Sequence, residues 1–474
     1  MKQKPMVIDI DGTLFAMDTA WENLRLIFFK RPAKIPALLA SAARGRAKLK
    51  SWLHQEAGLE LEKLPFRDEV LAVVQHGKKR RRPIHIVSGA PQGVVDHVVR
   101  RLGLACKRDQ WGSTSGTNLT RAKSELLNQK FGFQGYDYYG DCEADLPVFS
   151  RADSGGIVGA RPHMVRMALR ANPRLKVIHP QPPFGVSAWK SLRTHQWIKN
   201  LLLLVPLFAA HEWNQPGQWL IGFKAMAAFS FLSSSVYLLN DLHDLESDRC
   251  HPQKKRRPIA SGELKIYEAF WLVVMLLGIA FGIAWTLGQG FFAGALVYLS
   301  MAGIYNVWAK SKSGLDLVIL ALFYTLRILA GGAALSIPCS PWLLGYATFI
   351  FISLASIKRV SELLRLKKEK KVLVAGRGYV IGDLEAMTGI GISSGVVSVL
   401  VAALYVSSPD VAILYSKPRM LWLVCPVLFY WVTRVWLKTL RGGMPEDPVL
   451  FAVKDRASWV LLFLLMVVVQ IASR

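Results

Sequence analysis

Asp241, Asp244 and Asp248 lie three and then four residues apart in NDLHDLESDRCHPQKKRRPIASG, residues 240–262, a charged stretch between two long apolar segments. On a helix this spacing puts the three carboxylates on one face, where they can share one or two hard cations such as Mg2+. His251, Lys254, Arg256 and Arg257 follow at once, so groups that hold a metal are succeeded by groups that hold phosphate oxygens. Together they predict metal-diphosphate chemistry at a bilayer surface. A second acidic set opens the chain. MVIDIDGTL, residues 6–14, reads as a buried strand ending in Asp9 and Asp11, which the two-residue alternation sends out on the same side. IHIVSG ends at Ser88 and Gly89, YDYYGD ends at Asp141 with Asp145 one helical turn later, and Lys123 lies between them in NLTRAKSELL. Ligands of open α/β sheets gather at such carboxyl ends of strands. Several carboxylates stay ionised together only if a cation and a lysine balance them.

Two kinds of chain must position these residues. The first ~155 residues alternate short strand-like and helix-like runs and are highly charged, which predicts an α/β domain over 1–158. Residues 159–192, with HPQPPFGVS, read as a semi-rigid linker. From 193 to 474 the chain reads as about nine apolar segments near 197–210, 218–239, 266–287, 290–308, 315–336, 341–357, 387–407, 419–438 and 457–472. Lys and Arg crowd the loops 240–263, 309–314, 358–386 and 439–456 and are absent from 211–217, 287–290 and 337–341. By the positive-inside rule the basic loops, the amino-terminal domain and the Asp-rich stretch are cytoplasmic. Lys+Arg 59 against Asp+Glu 33, a formal +26, fits inside-loop charge and attraction to anionic lipid and phosphorylated substrates. No basic stripe is interleaved with exposed aromatics, so a nucleic-acid partner is not expected. The five cysteines show no Cys-x-x-Cys spacing, and residues 1–14 carry acids rather than a long apolar stretch, so neither a zinc site nor a signal peptide is indicated.

The amino-terminal set resembles the four motifs of haloacid dehalogenase-like phosphatases, over essentially the whole domain. The resemblance implies a Rossmann-like α/β fold with a helical cap at about 15–75. Asp9 would be the nucleophile that forms an aspartyl-phosphate and Asp11 the general acid/base. Ser88 and Lys123 would hold the phosphoryl oxygens, and Asp141 and Asp145 would bind Mg2+ beside Asp9 and Asp11. The basic run from Arg31 to Lys50 in the cap suits either a second phosphate or anionic lipid.

Asn240, Asp241, Asp244, Asp248, His251, Pro252, Arg257 and Pro258 resemble the first signature of the UbiA superfamily of intramembrane prenyltransferases. That implies an all-α polytopic bundle with Mg2+ on the aspartates. SLRTHQWIKN, with Arg193, Gln196, Trp197, Lys199 and Asn200, is similar to a run that marks the decaprenyl-phosphate phosphoribosyltransferase branch. So is SIKRVSELL, with Lys358, Arg359 and Glu362 opening a loop, followed by Arg377 and Tyr379. The second motif region offers Lys310, Lys312 and the single acid Asp316, a pattern richer in cation than aromatic prenylation needs. Arg327 lies three helical turns further on at membrane depth, where it either lines a polar cavity or pairs with a carbonyl or acid.

The branch implies transfer of 5-phosphoribose from phosphoribosyl pyrophosphate to a polyprenyl phosphate. Asp241, Asp244, Asp248 and Asp316 would hold metal, and Asn240, Lys254, Arg257, Lys310, Arg327, Lys358 and Arg359 would hold the donor. Arg193, Gln196, Lys199 and Asn200 would hold the lipid phosphate. An integral protein of the bacterial inner membrane is expected, its phosphatase domain removing the product's 5-phosphate. The alternatives are an aromatic or haem-type prenyltransferase of the same fold, which a second motif rich in acids would favour, and a non-catalytic membrane scaffold with a phosphate-binding domain.

Overall fold

The computed structural model describes residues 3–104, 110–114, 119–368, 378–445 and 447–473, so Cys106 and Arg377 lie outside the described residues. The chain divides into two compact units, Met1–Leu192 with Tyr237–Val273, and Arg193–Val236 with Val274–Arg474.

The first unit is built on six strands: β1 Met6–Ile8, β2 Ile84–Pro91, β3 Trp111–Ser113, β4 Asp137–Gly140, β5 Ser154–Val158 and β6 Leu175–Ile178. They pair in the order β3-β2-β1-β4-β5-β6, and every pairing is parallel. The two halves diverge at β1 and β4, the switch point where a crevice opens beyond the carboxyl ends. Parallel strands are covered on both faces and therefore read as continuous apolar runs. Accordingly Ile8, Ile86, Val94 and Val98 pack on one side, while Val7, Val87, Tyr138 and Phe149 pack on the other.

Three helices, Thr19–Lys30, Ile35–Ala43 and Arg46–Ala57, occupy most of the expected cap. Leu26, Ile27, Leu53 and Ala57 form their own small core. The first starts at Asp18, whose Oδ1 accepts from the Ala20 and Trp21 amides at 2.8 and 3.3 Å. The cap is shorter than 15–75, because helix Asp68–Lys79 already puts Val70 and Val74 into the sheet core. The linker expected at 159–192 is also corrected. Helix Pro162–Ala171 and strand β6 lie within it, and β6 pairs with β5 along Gly155–Val158. The prolines that suggest a linker fall only after β6, and helix Phe184–Leu192 follows them.

Eight helices among the described residues are long and apolar enough to cross a membrane: Pro216–His243, Ile266–Thr286, Gln289–Val307, Leu315–Leu335, Pro341–Lys368, Ile381–Val406, Pro418–Leu440 and Arg456–Ser473. The ninth expected segment, 197–210, is a 3-10 stretch, Thr194–Leu204, followed by the short helix Val205–Ala209. The segment is thus not one continuous α-helix of membrane-spanning length. The segment is instead packed within the second unit: a Cβ on Gly331 would lie 2.1 Å from the Leu203 carbonyl oxygen. That unit has one core around Phe351, Leu354, Ile357 and Trp436 and another around Phe229, Phe291 and Tyr298.

Candidate functional site

Beyond β1 and β4 the first unit gathers the amino-terminal motif residues. The chain leaves β1 through a tight turn in which Gly12 is left-handed, φ +73. A side chain there would run into the Asp141 carboxylate, whose Oδ2 would be 2.0 Å from a Cβ. Glycine thus lets the aspartate that follows β4 approach the turn that carries Asp9 and Asp11. Asp9 accepts from the Ile10 amide at 2.7 Å through Oδ1 and from Lys123 Nζ at 2.7 Å through Oδ2. Lys123 also donates to Asp145 Oδ1 and Tyr138 Oη, each at 2.8 Å. Asp11 Oδ1 accepts from the Thr19 amide at 2.9 Å, and buried Ser88 offers its Oγ to the Ala90 amide at 3.2 Å. A cavity of ≈ 280 Å³ opens over Asp9, Asp11, Ser88, Lys123 and Asp141.

The electrostatics separate the roles. Burial opposes the Lys123 ammonium, but Asp145 and Asp9 outweigh it and hold its pKa above that of an ordinary lysine. Burial alone would raise the Asp145 pKa; the attraction of Lys123 reverses this and lowers it. Burial lifts Asp9 despite Lys123 and lifts Asp141 to about 6. Asp11 rises well above the usual carboxylate range, through burial and then the neighbouring Asp18.

Asp9 and Asp141 present buried oxygens of the kind a hard divalent cation takes, so they fit Mg2+. Asp145, also expected to bind metal, has both carboxylate oxygens engaged. Its Oδ1 accepts from Lys123 and Tyr138, and its Oδ2 from the Asp141 and Cys142 amides. Its ligand atoms lie within 4.8 Å of those of Asp141 and Cys142, and burial raises the Cys142 thiol pKa. These contacts make Asp145 the counter-ion that positions Lys123. Tyr138, which shares that task, carries no sequence signal beyond a place in a buried strand.

The Asp-rich stretch is not one helix. Pro216–His243 ends just before Asp244, and Leu245–Cys250 starts after it. The i to i+4 amide bonds from Asp244 to Asn240 and from Asp248 to Asp244 nevertheless bridge the break. Arg257 Nη1 donates to Asp241 Oδ1 at 3.0 Å and to Asp248 Oδ2 at 2.5 Å. One cation thus already sits between two buried carboxylates, a donor set that fits a divalent metal. Asp244 instead pairs with His243 Nδ1 at 2.8 Å. Asn240 is half-buried and Lys254 exposed.

In the second unit the expected sites take a different form. Asp316 is fully buried; its Oδ2 accepts from Arg359 Nε at 2.7 Å and its Oδ1 from the Tyr379 hydroxyl. Arg359 also reaches Glu362 at 3.0 Å and Tyr305 at 3.2 Å. Asp316, expected as a metal ligand, thus holds an arginine, as Asp241 and Asp248 hold Arg257. Lys358 and Arg359 do not open a loop, since their helix continues to Lys368. Arg327 donates to Asn200 Oδ1, the Phe323 carbonyl and the Tyr298 hydroxyl at 3.0, 2.6 and 3.1 Å. These partners favour the structural alternative for Arg327 and place Asn200 beside it. Lys199 pairs with Asp447 at 2.5 Å. Asp447, not singled out from the sequence, caps the helix that starts at Pro448 and accepts from the Val449 and Leu450 amides. Arg193 adopts a left-handed backbone at the head of the 3-10 stretch, Gln196 lies one turn on, and Lys310 is half-buried in the turn Ala309–Ser311.

The sequence pattern of the UbiA prenyltransferase family matches residues 201–451. An "uncharacterized protein y4nM" of Sinorhizobium fredii is 32% identical over 466 residues, 97% of this chain and 89% of its own. A decaprenyl-phosphate phosphoribosyltransferase of Mycolicibacterium smegmatis is 30% identical over 278 residues, 57% of this chain and 87% of its own. A solved phosphoserine phosphatase, a phospho-aspartyl intermediate analogue, aligns at 17% identity with TM-score 0.27, covering 38% of this chain and 94% of its own.

Proposed function

The chain belongs to the UbiA prenyltransferase family and is an integral membrane protein, and from that premise we propose that it moves 5-phosphoribose from phosphoribosyl pyrophosphate to a polyprenyl phosphate. What carries this reading within the family is the second motif. Its single acid, Asp316, is spent on Arg359 and Tyr379, which suits two phosphorylated substrates better than a diphosphate and a neutral ring. The similarity to a decaprenyl-phosphate phosphoribosyltransferase supports the same choice.

An oxygen of the lipid phosphate attacks ribose C1 as the bond from C1 to the pyrophosphate oxygen breaks, and pyrophosphate leaves. The nucleophile is already an anion, so no protein base is needed. Asp241, Asp244 and Asp248 would hold Mg2+, with Arg257 balancing the charge; Lys199 and Arg193 would hold the lipid phosphate. In the first unit, Asp9 attacks the 5-phosphate of the lipid product and Asp11 protonates the departing sugar oxygen. Asp11 then takes a proton from the water that cleaves the aspartyl-phosphate and restores Asp9. Asp9 and Asp141 would hold Mg2+ there. When bound, the metal draws charge from the pyrophosphate leaving group and offsets that of the phosphoryl group. We assign both activities to the cytoplasmic face of a bacterial inner membrane, from the basic loops.

The test is an assay in detergent with labelled phosphoribosyl pyrophosphate, Mg2+ and polyprenyl phosphate. Label should enter the lipid, and Asp244→Asn should cut that by at least tenfold without loss of folded protein. Label moving instead from a prenyl diphosphate to an aromatic acceptor would support the alternative within the family. Asp9→Asn should leave the lipid product phosphorylated.

A further inference from the structure

The cavity over Asp9 has a wall that the amino-terminal residues do not supply. Arg249, Ile259, Gly262, Leu264, Lys265 and Tyr267 line it. All come from the link between the spans Pro216–His243 and Ile266–Thr286 or from the first turn after it. This stretch belongs to the same compact unit as the sheet, and specific contacts fasten it there. Gln181, 5% exposed, donates to the Gly262 carbonyl at 2.9 Å, and Arg161 pairs with Glu268 at 2.6 Å. From the cap helix, buried Glu22 pairs with Arg249, and buried Arg25 reaches Glu246 at 2.9 Å. Gly262 has φ +82 and lies so near the turn after β1 that a Cβ would come within 2.9 Å of the Ala16 carbonyl oxygen. Lys265 Nζ stands 3.3 Å from Asp141 Oδ2.

We propose that residues 249–267 form a second cap over the phosphatase pocket, and that Lys265 binds the phosphoryl group of an amphiphilic phosphomonoester presented at the membrane surface. The inference rests on the phosphatase reading of this cavity. Lys123 is committed to Asp9 and Asp145, whereas Lys265 touches Asp141 and keeps about a third of its side chain exposed. A phosphoryl dianion entering the cavity meets both ammonium groups, and Lys265 can turn to it as a charge-assisted donor. The apolar lining of Met17, Trp21, Ile259, Leu264 and Ile266 suits the remainder of an amphiphile.

The full chain in detergent with Mg2+ tests this as wild type, Lys265→Ala and Lys265→Arg. Phosphate release is measured from 5-phosphoribosyl polyprenyl phosphate and from ribose 5-phosphate, and binding of inorganic phosphate by calorimetry. Lys265→Ala should raise KM for both substrates and weaken phosphate binding by roughly ten- to a hundredfold, with kcat changed less. Lys265→Arg should recover most of this, and the wild type should favour the lipid in kcat/KM. If Lys265→Ala releases phosphate from the lipid with the wild-type KM and phosphate affinity, the second cap falls while the proposed function stands. If the wild type cleaves ribose 5-phosphate but not the lipid, with the Lys265 dependence intact, the role of Lys265 stands. The amphiphile preference and the proposed coupling then both fail.

Discussion

Lys123 ties a buried charge set to the proposed phosphatase chemistry. It is almost fully buried between Asp9 and Asp145, and removing one partner of a buried charge set costs more than its net attraction, because the other charges stay desolvated. Lys123→Met should therefore lower stability by roughly 3–5 kcal/mol, read from denaturant unfolding of the solubilised protein, and abolish phosphate release. Asp9→Asn removes the proposed nucleophile but keeps its size and one of its two acceptor oxygens, so it should abolish turnover with a smaller loss of stability. A Lys123→Met variant as stable as the wild type would show that the carboxylates do not depend on that ammonium.

At the scale of elements, the 3-10 stretch Thr194–Leu204 and helix Leu315–Leu335 meet at a point with no room for a side chain, since a Cβ on Gly331 would overlap the Leu203 backbone. Backbone atoms cannot swing aside as a flexible side chain does. Gly331→Val should accordingly displace the stretch that carries Lys199 and Asn200, lower the melting temperature of the membrane unit by several degrees, and reduce lipid labelling. Phosphate release from a soluble ester should persist, because the residues proposed for it lie in the first unit. Equal loss of both activities in a folded variant would contradict that division.

For the whole molecule, both proposed reactions depend on carboxylate clusters that fit divalent metal. Chelation by EDTA should stop lipid labelling and phosphate release together, and Mg2+ should restore both. The two steps should also separate in order. Asp9→Asn should accumulate a labelled lipid that still carries its phosphate, and Asp244→Asn should yield no labelled lipid at all. A chain that holds both activities keeps the second near a product confined to one membrane surface, which raises its effective concentration.

Much of this was legible in the sequence because the informative residues are close in the chain or mark strand ends. The acids after β1 and β4, the Asp-rich stretch and eight of the spans all follow from short-range spacing and apolar periodicity. What periodicity cannot carry is partnership across long separations. Whether Asp145 takes a metal or Lys123, whether Asp316 faces a metal or Arg359, and whether Arg327 lines a cavity or bonds Asn200 and Tyr298 depends on side chains 22 to 127 residues away. The first apolar segment read as one span because composition records hydrophobicity but not the change from 3-10 to α-helix at Leu204–Val205. Residues 249–262 read as part of one motif, and only the folded chain brings Lys265, just beyond it, to Asp141, 124 residues distant. Local spacing determined which chemistry the chain can hold; packing decided which charges neutralise one another and which are left for a substrate.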